Sequence, residues 1–123
     1  MNTALWIVSG VLAAAYLASG VMKLATPYDR LLKNPKMAWA EGFSPRIVQA
    51  IGAAEGLGAA GLLLPRVIGV AEILAPLAAA GLVLLQVGAI TTHVQRREFQ
   101  PLPINITLTL LAGFVAIGLA TRG

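Results

Sequence analysis

The chain has 123 residues, 58% of them hydrophobic and only 11% charged, with no cysteine and a formal net charge of +4. About a quarter of the residues in a soluble domain are charged, so this composition excludes an ordinary soluble fold and points to the bilayer. The missing cysteines exclude disulfides, thiolate metal sites, Cys-ligated iron–sulfur clusters and a cysteine nucleophile.

Four apolar runs predict membrane-spanning helices at residues 4–25, 46–64, 67–93 and 102–121, each near the ~20 residues that cross ~30 Å of hydrocarbon. They take up most of residues 1–123, so the expectation is an all-α polytopic membrane protein with one domain, a four-transmembrane-helix bundle. Backbone groups are then satisfied inside each helix, as lipid requires. The basic residues stand in short loops beside these runs, where they orient the spans and meet anionic lipid. Without a soluble basic surface, nucleic acid is not an expected partner.

In the first helix Ser9, Tyr16 and Lys23 recur every seven residues and share one face. Tyr16 is thereby a candidate ligand contact, and Lys23 either snorkels to the headgroups or turns inward as a catalytic cation. Gly20 permits close approach of another helix. Met1-Asn2-Thr3 carries no basic n-region, so the run reads as a retained span and not as a cleaved signal.

Pro27 ends this helix, and residues 27–45 are too polar and proline-punctuated to span. Asp29, Arg30, Lys33, Lys36 and Glu41 alternate there with Tyr28, Leu31, Leu32, Met37, Trp39 and Phe43. This mixture suits an interfacial segment of one or two short helical turns with aromatics at headgroup depth. It serves either as a plain connector or as a lid, and as a lid it would bring Trp39 to a bound molecule.

The second helix carries one carboxylate, Glu55, near its middle, a placement that costs ~2.5–3.5 kcal/mol and usually marks a functional site. Gly52, Gly56, Gly58 and Gly61 surround it with small residues, which mean either close helix packing or a small cavity with Gly52 at its wall. Pro65-Arg66 is read as a tight turn. The third helix is expected to kink at Pro76. Glu72 near its start pairs peripherally with Arg66 and is the second-choice acid. Gln86 and His93 share a face further along. A polar loop with Arg96, Arg97 and Glu98 follows, and the fourth helix begins at Pro101 or Pro103. Asn105 and Thr109 stack near its start.

Of nine Lys and Arg, Lys23, Arg30, Lys33, Lys36, Arg46, Arg96 and Arg97 lie on one side, against Arg66 and Arg122 on the other. The positive-inside rule places the first side in the cytoplasm of an inner-membrane protein and both termini outside. Lys23, His93 and Asn105 then lie at the cytoplasmic end, with Glu55 about 13 Å in from Arg46 and Tyr16, Gln86 and Thr109 at comparable depth. The four spans thus converge on one polar pocket. Its expected catalytic set is Glu55, His93, Lys23 and Asn105, and its expected ligand contacts are Tyr16, Gln86, Thr109, Gly52 and Trp39. Burial makes a carboxylate hold its proton more tightly and a nearby cation opposes this, while imidazole titrates near neutrality, so a Glu/His pair can move protons. The alternative is a polar network that only fixes helix register, at ~0.6–2 kcal/mol per interhelical bond.

Several short motifs carry a family resemblance: Ser19-Gly20 with Lys23, Gly52-xx-Glu55-xx-Gly58 leading to Gly61-Leu62-Leu63, Gly88-Ala89 to His93, and Asn105 opening the last helix. With Glu41-Gly42-Phe43-Ser44-Pro45 before the second helix, they make the chain resemble the DoxX-like family of small four-helix integral membrane proteins. Trp39-Ala40 departs from that family's usual phenylalanine-led form. The resemblance implies the fold and a quinone or another lipophilic small molecule as ligand, since the eponymous relatives are subunits of a membrane thiosulfate:quinone oxidoreductase.

No recognisable motif encodes a cofactor, and a single histidine cannot ligate haem twice. The leading expectation is an enzyme or enzyme subunit, either redox-associated or an acid/base enzyme of isomerase or epoxide-opening type, forming a homo-oligomer. The alternative is a non-catalytic assembly subunit of a membrane oxidoreductase complex with a partner subunit. A proton or small-solute transporter is the third, although no inverted repeat or broken helix is evident.

Overall fold

A computed structural model describes residues 2–122. Met1 and Gly123, and the side chains of Lys36 and Arg122 counted in the orientation argument, lie outside the described residues. The elements are α1 (Asn2–Ala25), α2 (Tyr28–Lys33), a 3₁₀ helix (Pro35–Gly42), α3 (Pro45–Ile68), α4 (Leu74–Gln95) and α5 (Leu102–Arg122). Helices α1, α3, α4 and α5 are each long and apolar enough to cross a membrane. Their outward faces carry large apolar side chains such as Leu57, Leu84, Leu110 and Ile117, the pattern of a bundle solvated by lipid. The all-α, four-span architecture is therefore the one the sequence predicts.

The long helices close into a ring. Each packs on its chain neighbour, α1 on α3, α3 on α4 and α4 on α5, and α5 returns to α1. Short connections make neighbours antiparallel, so one end of the ring gathers the C-termini of α1 and α4 with the N-termini of α3 and α5. The tightest contact is the α1/α3 crossing, where a Cβ on Gly20 would stand 2.6 Å from the Gly52 carbonyl oxygen and one on Gly52 would stand 2.8 Å from the Lys23 Cβ. Glycine on both faces is what lets the two backbones touch. The apolar core lies away from that end, around Leu12, Leu62, Leu82, Ala112 and Val115.

Two prolines do not act as the sequence reading expects. Helix α3 runs on through Pro65 to Ile68 and stops at Gly69, whose φ of 70° is the left-handed cap glycine accepts most readily. Ala71 at φ 52° completes the reversal. Pro76 falls in the first turn of α4, which begins at Leu74. A proline there removes an N–H that has no helical partner anyway, so it starts the helix without kinking it. Glu72 consequently sits in the exposed turn between α3 and α4. Arg66 reaches α1, with its guanidinium 3.8 Å over the Trp6 ring and a 3.5 Å hydrogen bond to the Ser9 hydroxyl, and the expected pair with Glu72 is not among the ion pairs of the described residues.

The segment between α1 and α3 folds against the ring end. Leu31, Met37, Ala40 and Val48 are buried together, with Tyr28, Trp39 and Phe43 packed on them. The Tyr28 hydroxyl reaches the carbonyls of Ala40, at 3.0 Å, and Phe43, at 2.7 Å. That anchor fixes an eight-residue 3₁₀ run, longer than such helices usually sustain. Ser44 then caps α3 by accepting from the Ile47 N–H, with Pro45 in the first turn. Five threonines of α4 and α5 are satisfied locally: Thr91, Thr92, Thr107, Thr109 and Thr121 each donate to the carbonyl four residues back.

Candidate functional site

The gathered ring end holds a cavity of about 390 Å³ with walls from all four spans and the connecting segment. Tyr16, Ser19 and Lys23 of α1, Glu55 of α3, Gln86 and His93 of α4, and Asn105 of α5 all line it, with Trp39 and Phe43 from the segment. Ala15 and Leu84 are exposed within membrane spans and also line it, so the space reaches the lipid-facing surface.

Lys23 and Glu55 meet because helical side chains lean toward their own N-terminus. Lys23, in the last turn of α1, leans back into the bundle; Glu55, on the antiparallel α3, leans out toward the ring end. The Lys23 Nζ lies 2.7 Å from Glu55 Oε1, and both side chains are buried, 7% and 9% exposed. Ser19, one turn before Lys23, completes the unit. Its hydroxyl accepts from Lys23 and donates to the Glu55 carboxylate, 3.1 Å from Oε2. Lys23 therefore does not snorkel to the headgroups. A buried pair of this kind needs further hydrogen bonds to offset its desolvation, and Ser19 supplies one. The Lys23 ammonium also stands 5.9 Å from the Trp39 ring centroid, and Trp39 meets Phe43 edge to face at 5.8 Å.

His93 does not pair with Glu55. Its Nδ1 lies 2.9 Å from Glu98 Oε1, in the loop after α4. Arg96 donates from Nε to Glu98 Oε2 at 3.0 Å and from its terminal nitrogen to Glu41 Oε1 at 2.8 Å. A chain of charged groups thus links the cavity wall to the 3₁₀ helix. Partial burial would raise the Glu98 carboxyl, but the hydrogen bonds from His93 and Arg96, with the Arg96 charge, outweigh it and hold the group below the usual carboxylate range. The same contacts with Glu41 and Glu98 push Arg96 further up.

Three buried polar atoms have no hydrogen-bond partner among the described residues: the Tyr16 hydroxyl, Gln86 Oε1 and Asn105 Nδ2. The Tyr16 hydroxyl and the Gln86 amide are neighbours without reaching hydrogen-bonding geometry. All three residues face the cavity. Most buried polar atoms in native structures find a partner, so three orphans around one space are a chemical signature of that space.

Two of the expected contacts belong elsewhere. Thr109 spends its hydroxyl on the Asn105 carbonyl, 2.7 Å away, and is not on the cavity wall. Gly52 is the α1/α3 crossing point and does not line the ligand space. Glu72, the second-choice acid, lies at the opposite end of the ring from Lys23. Conversely, two site residues escape sequence reasoning. Ser19 has a signal, since it stands four residues before Lys23 on the same face. Glu98 has only its distance of five residues beyond His93, and a charge in a polar loop carries no mark of a contact with a span.

The model of the DoxX-like family matches residues 7–115, a stretch containing every residue of the cavity wall. No curated protein and no solved structure matches the chain.

Proposed function

The chain belongs to the DoxX-like family, and on that footing we propose that it binds a lipophilic small molecule with a polar, quinone-like head in the cavity and acts on it. It does so as an acid/base or redox-associated enzyme, or as a subunit of one. The observation that carries this reading is the 390 Å³ cavity with three orphaned polar atoms on its wall. Small-molecule sites are mostly apolar clefts of ~300–1,000 Å³ with a few placed polar groups. An unpaired polar group buried away from water is costly, and a ligand carrying both a hydroxyl, which donates to Gln86 Oε1, and an acceptor oxygen, which takes a hydrogen bond from Asn105 Nδ2, completes the set with Tyr16. Access at Ala15 and Leu84 suits a molecule arriving from lipid. Glu55 and His93 handle protons, Lys23 balances negative charge, and Asn105 orients a carbonyl or ring oxygen. The charge asymmetry of the loops supports an orientation with the ring end that holds the site in the cytoplasmic leaflet.

The test is native mass spectrometry of protein purified in mild detergent. A lipophilic molecule retained by the wild type and lost in Glu55→Gln and His93→Ala is the expected result. If no such molecule binds and both variants leave every measured activity unchanged, the reading is abandoned.

A second reading has its own observation. Ala54, Gly58, Gly61, Ala78 and Gly81 line a shallow groove on the lipid side of α3 and α4, the small-residue surface on which membrane helices dock. It favours a non-catalytic assembly subunit of a membrane oxidoreductase. A stoichiometric partner carrying its own cofactor, captured by affinity purification, supports that reading; turnover by the isolated chain counts against it.

A further inference from the structure

We infer that Glu98 is a positioning residue that holds the His93 Nδ1–H, so that Nε2 is presented to the cavity as the general base for the hydroxyl of a lipid-soluble phenol or enol. This inference rests on the proposed ligand cavity and names the chemistry of its head group.

The geometry has three parts. His93 is buried at 8% exposure on the cavity wall, and among the described residues one of its ring nitrogens has a partner, Nδ1 with Glu98 at 2.9 Å. Glu98 is itself held on its second oxygen by Arg96 at 3.0 Å, so the carboxylate cannot swing away to solvent without breaking two contacts. A carboxylate accepts and does not donate, so the neutral ring carries its proton on Nδ1 and leaves the Nε2 lone pair free. This is the arrangement by which a carboxylate selects a tautomer and later stabilises the imidazolium.

The step balances without a further reactant. The ligand O–H bond breaks, a bond forms between that proton and Nε2, and the electron pair stays on the ligand oxygen as phenolate or enolate. The new imidazolium lies against the Glu98 carboxylate. Asn105 Nδ2, buried and unpartnered, is the donor open to the developing oxyanion. Return of the proton from Nε2 restores the starting state. The charged groups around His93 are Glu98 and Arg96 from its own loop and Glu41 of the 3₁₀ helix through Arg96. Across the cavity stand Lys23 of α1 and Glu55 of α3, paired with each other; α5 presents the uncharged Asn105. Lys23 and Glu55 are held by one another and by Ser19, so this step is assigned to the His93 Nε2.

The chain contains a single histidine, so labelling with 15N-histidine gives the imidazole signals of His93 alone. In full-length protein in detergent micelles the expected spectrum at high pH has a protonated Nδ1 and an unprotonated Nε2. Glu98→Gln is expected to mix the two tautomers and Glu98→Asp to restore the wild-type pattern. A proton on Nε2 in the wild type, or an unchanged pattern in Glu98→Gln, overturns the inference; the wild-type spectrum decides even if the variant does not fold. The probe for the head group is 4-octylphenol, with its methyl ether as control. A shift of the Nε2 signal with the phenol and not with the ether is expected, and equal shifts from both overturn the hydroxyl assignment. Failure of every lipophilic probe to bind, with the tautomer as stated, sinks the ligand cavity and with it the base, while leaving the Glu98 contact intact.

Discussion

The two ends of the helix ring are built from the same four helices and by opposite rules. Toward the closed end Leu12, Ala112 and Val115 are fully buried in one cluster, Leu5 is fully buried as well, and α5 lies so near α1 that a Cβ on Gly118 would meet the Leu5 side chain at 2.6 Å. At the open end the same helices surround a cavity of about 390 Å³, a buried ion pair and three unpartnered polar atoms. Interiors normally pack to the density of organic crystals, so the open end is the exception. The difference teaches that apolar side-chain packing is concentrated at the closed end, while the open end, drawn together by the glycines of the α1/α3 crossing and by the Lys23–Glu55 pair, keeps a space and charged groups that apolar packing alone would reject.

That contrast can be broken most sharply at Glu55. Glu55→Leu leaves the Lys23 ammonium buried without its partner, and loss of one member of a buried pair costs about 3–5 kcal/mol. Resistance to denaturing detergent reads the effect, and adding Lys23→Met is expected to recover most of it. If the single variant is as stable as wild type, the pair is not buried as described. Next in size is Gly20→Val at the crossing, where the obstacle is the Gly52 backbone; overpacking of this kind costs about 1–3 kcal/mol. Gly118→Ala, at the closed end, meets only the tip of the Leu5 side chain and is expected to cost clearly less in the same assay. Equal losses would erase the distinction between a rigid crossing and a yielding contact.

Trp39→Ala removes cavity wall without touching the closed end. The expectation is a weakening of 4-octylphenol binding by about tenfold, or ~1.4 kcal/mol, with a loss of thermal stability limited to the contacts of the connecting segment and smaller than that of Glu55→Leu. A large fall in stability would show that the 3₁₀ helix is part of the core and not a cover. The smallest effect belongs to Glu98. Its folded-state proton affinity is depressed, so its contribution is full above the ordinary carboxylate range and is lost as pH falls through that range to its lowered value. Thermal melts between neutral and acidic pH should show wild type losing its small advantage over Glu98→Gln on acidification. A difference that grows with acid has the wrong sign and would refute the assignment.

Much of the bundle was legible because lipid leaves few options: four apolar runs of spanning length must be helices, and Ser9, Tyr16 and Lys23 every seven residues must share a face. Two prolines mislead a reading from sequence, which expects a tight turn at Pro65-Arg66 and a kink at Pro76, whereas α3 runs through Pro65 to Ile68 and Pro76 lies in the first turn of α4. The reversal is made instead by Gly69 and Ala71 at positive φ, and a backbone dihedral has no periodicity to read. Within the site, charged and amide groups in apolar spans were conspicuous, and Lys23, Glu55, Gln86, His93 and Asn105 do converge on one cavity. Pairing among them was not legible. Lys23 and His93 sit in last turns, and which way such a side chain leans depends on the neighbouring helix. Thr109 and Gly52 look like site residues by spacing, yet one bonds its own backbone and the other touches α1.

The threonines of the spans carry a consequence for traffic in the membrane. Four hydroxyls off the cavity wall, at Thr91, Thr107, Thr109 and Thr121, are folded back on carbonyls of their own helices. To a molecule diffusing along the hydrocarbon these stretches of the outer wall are chemically mute, offering contact but no direction. The buried side-chain atoms left without a partner among the described residues belong to Tyr16, Gln86 and Asn105, and they stand inside. A wanderer in the bilayer with oxygen atoms to satisfy gains little by resting on those outer faces and much by passing between the helices.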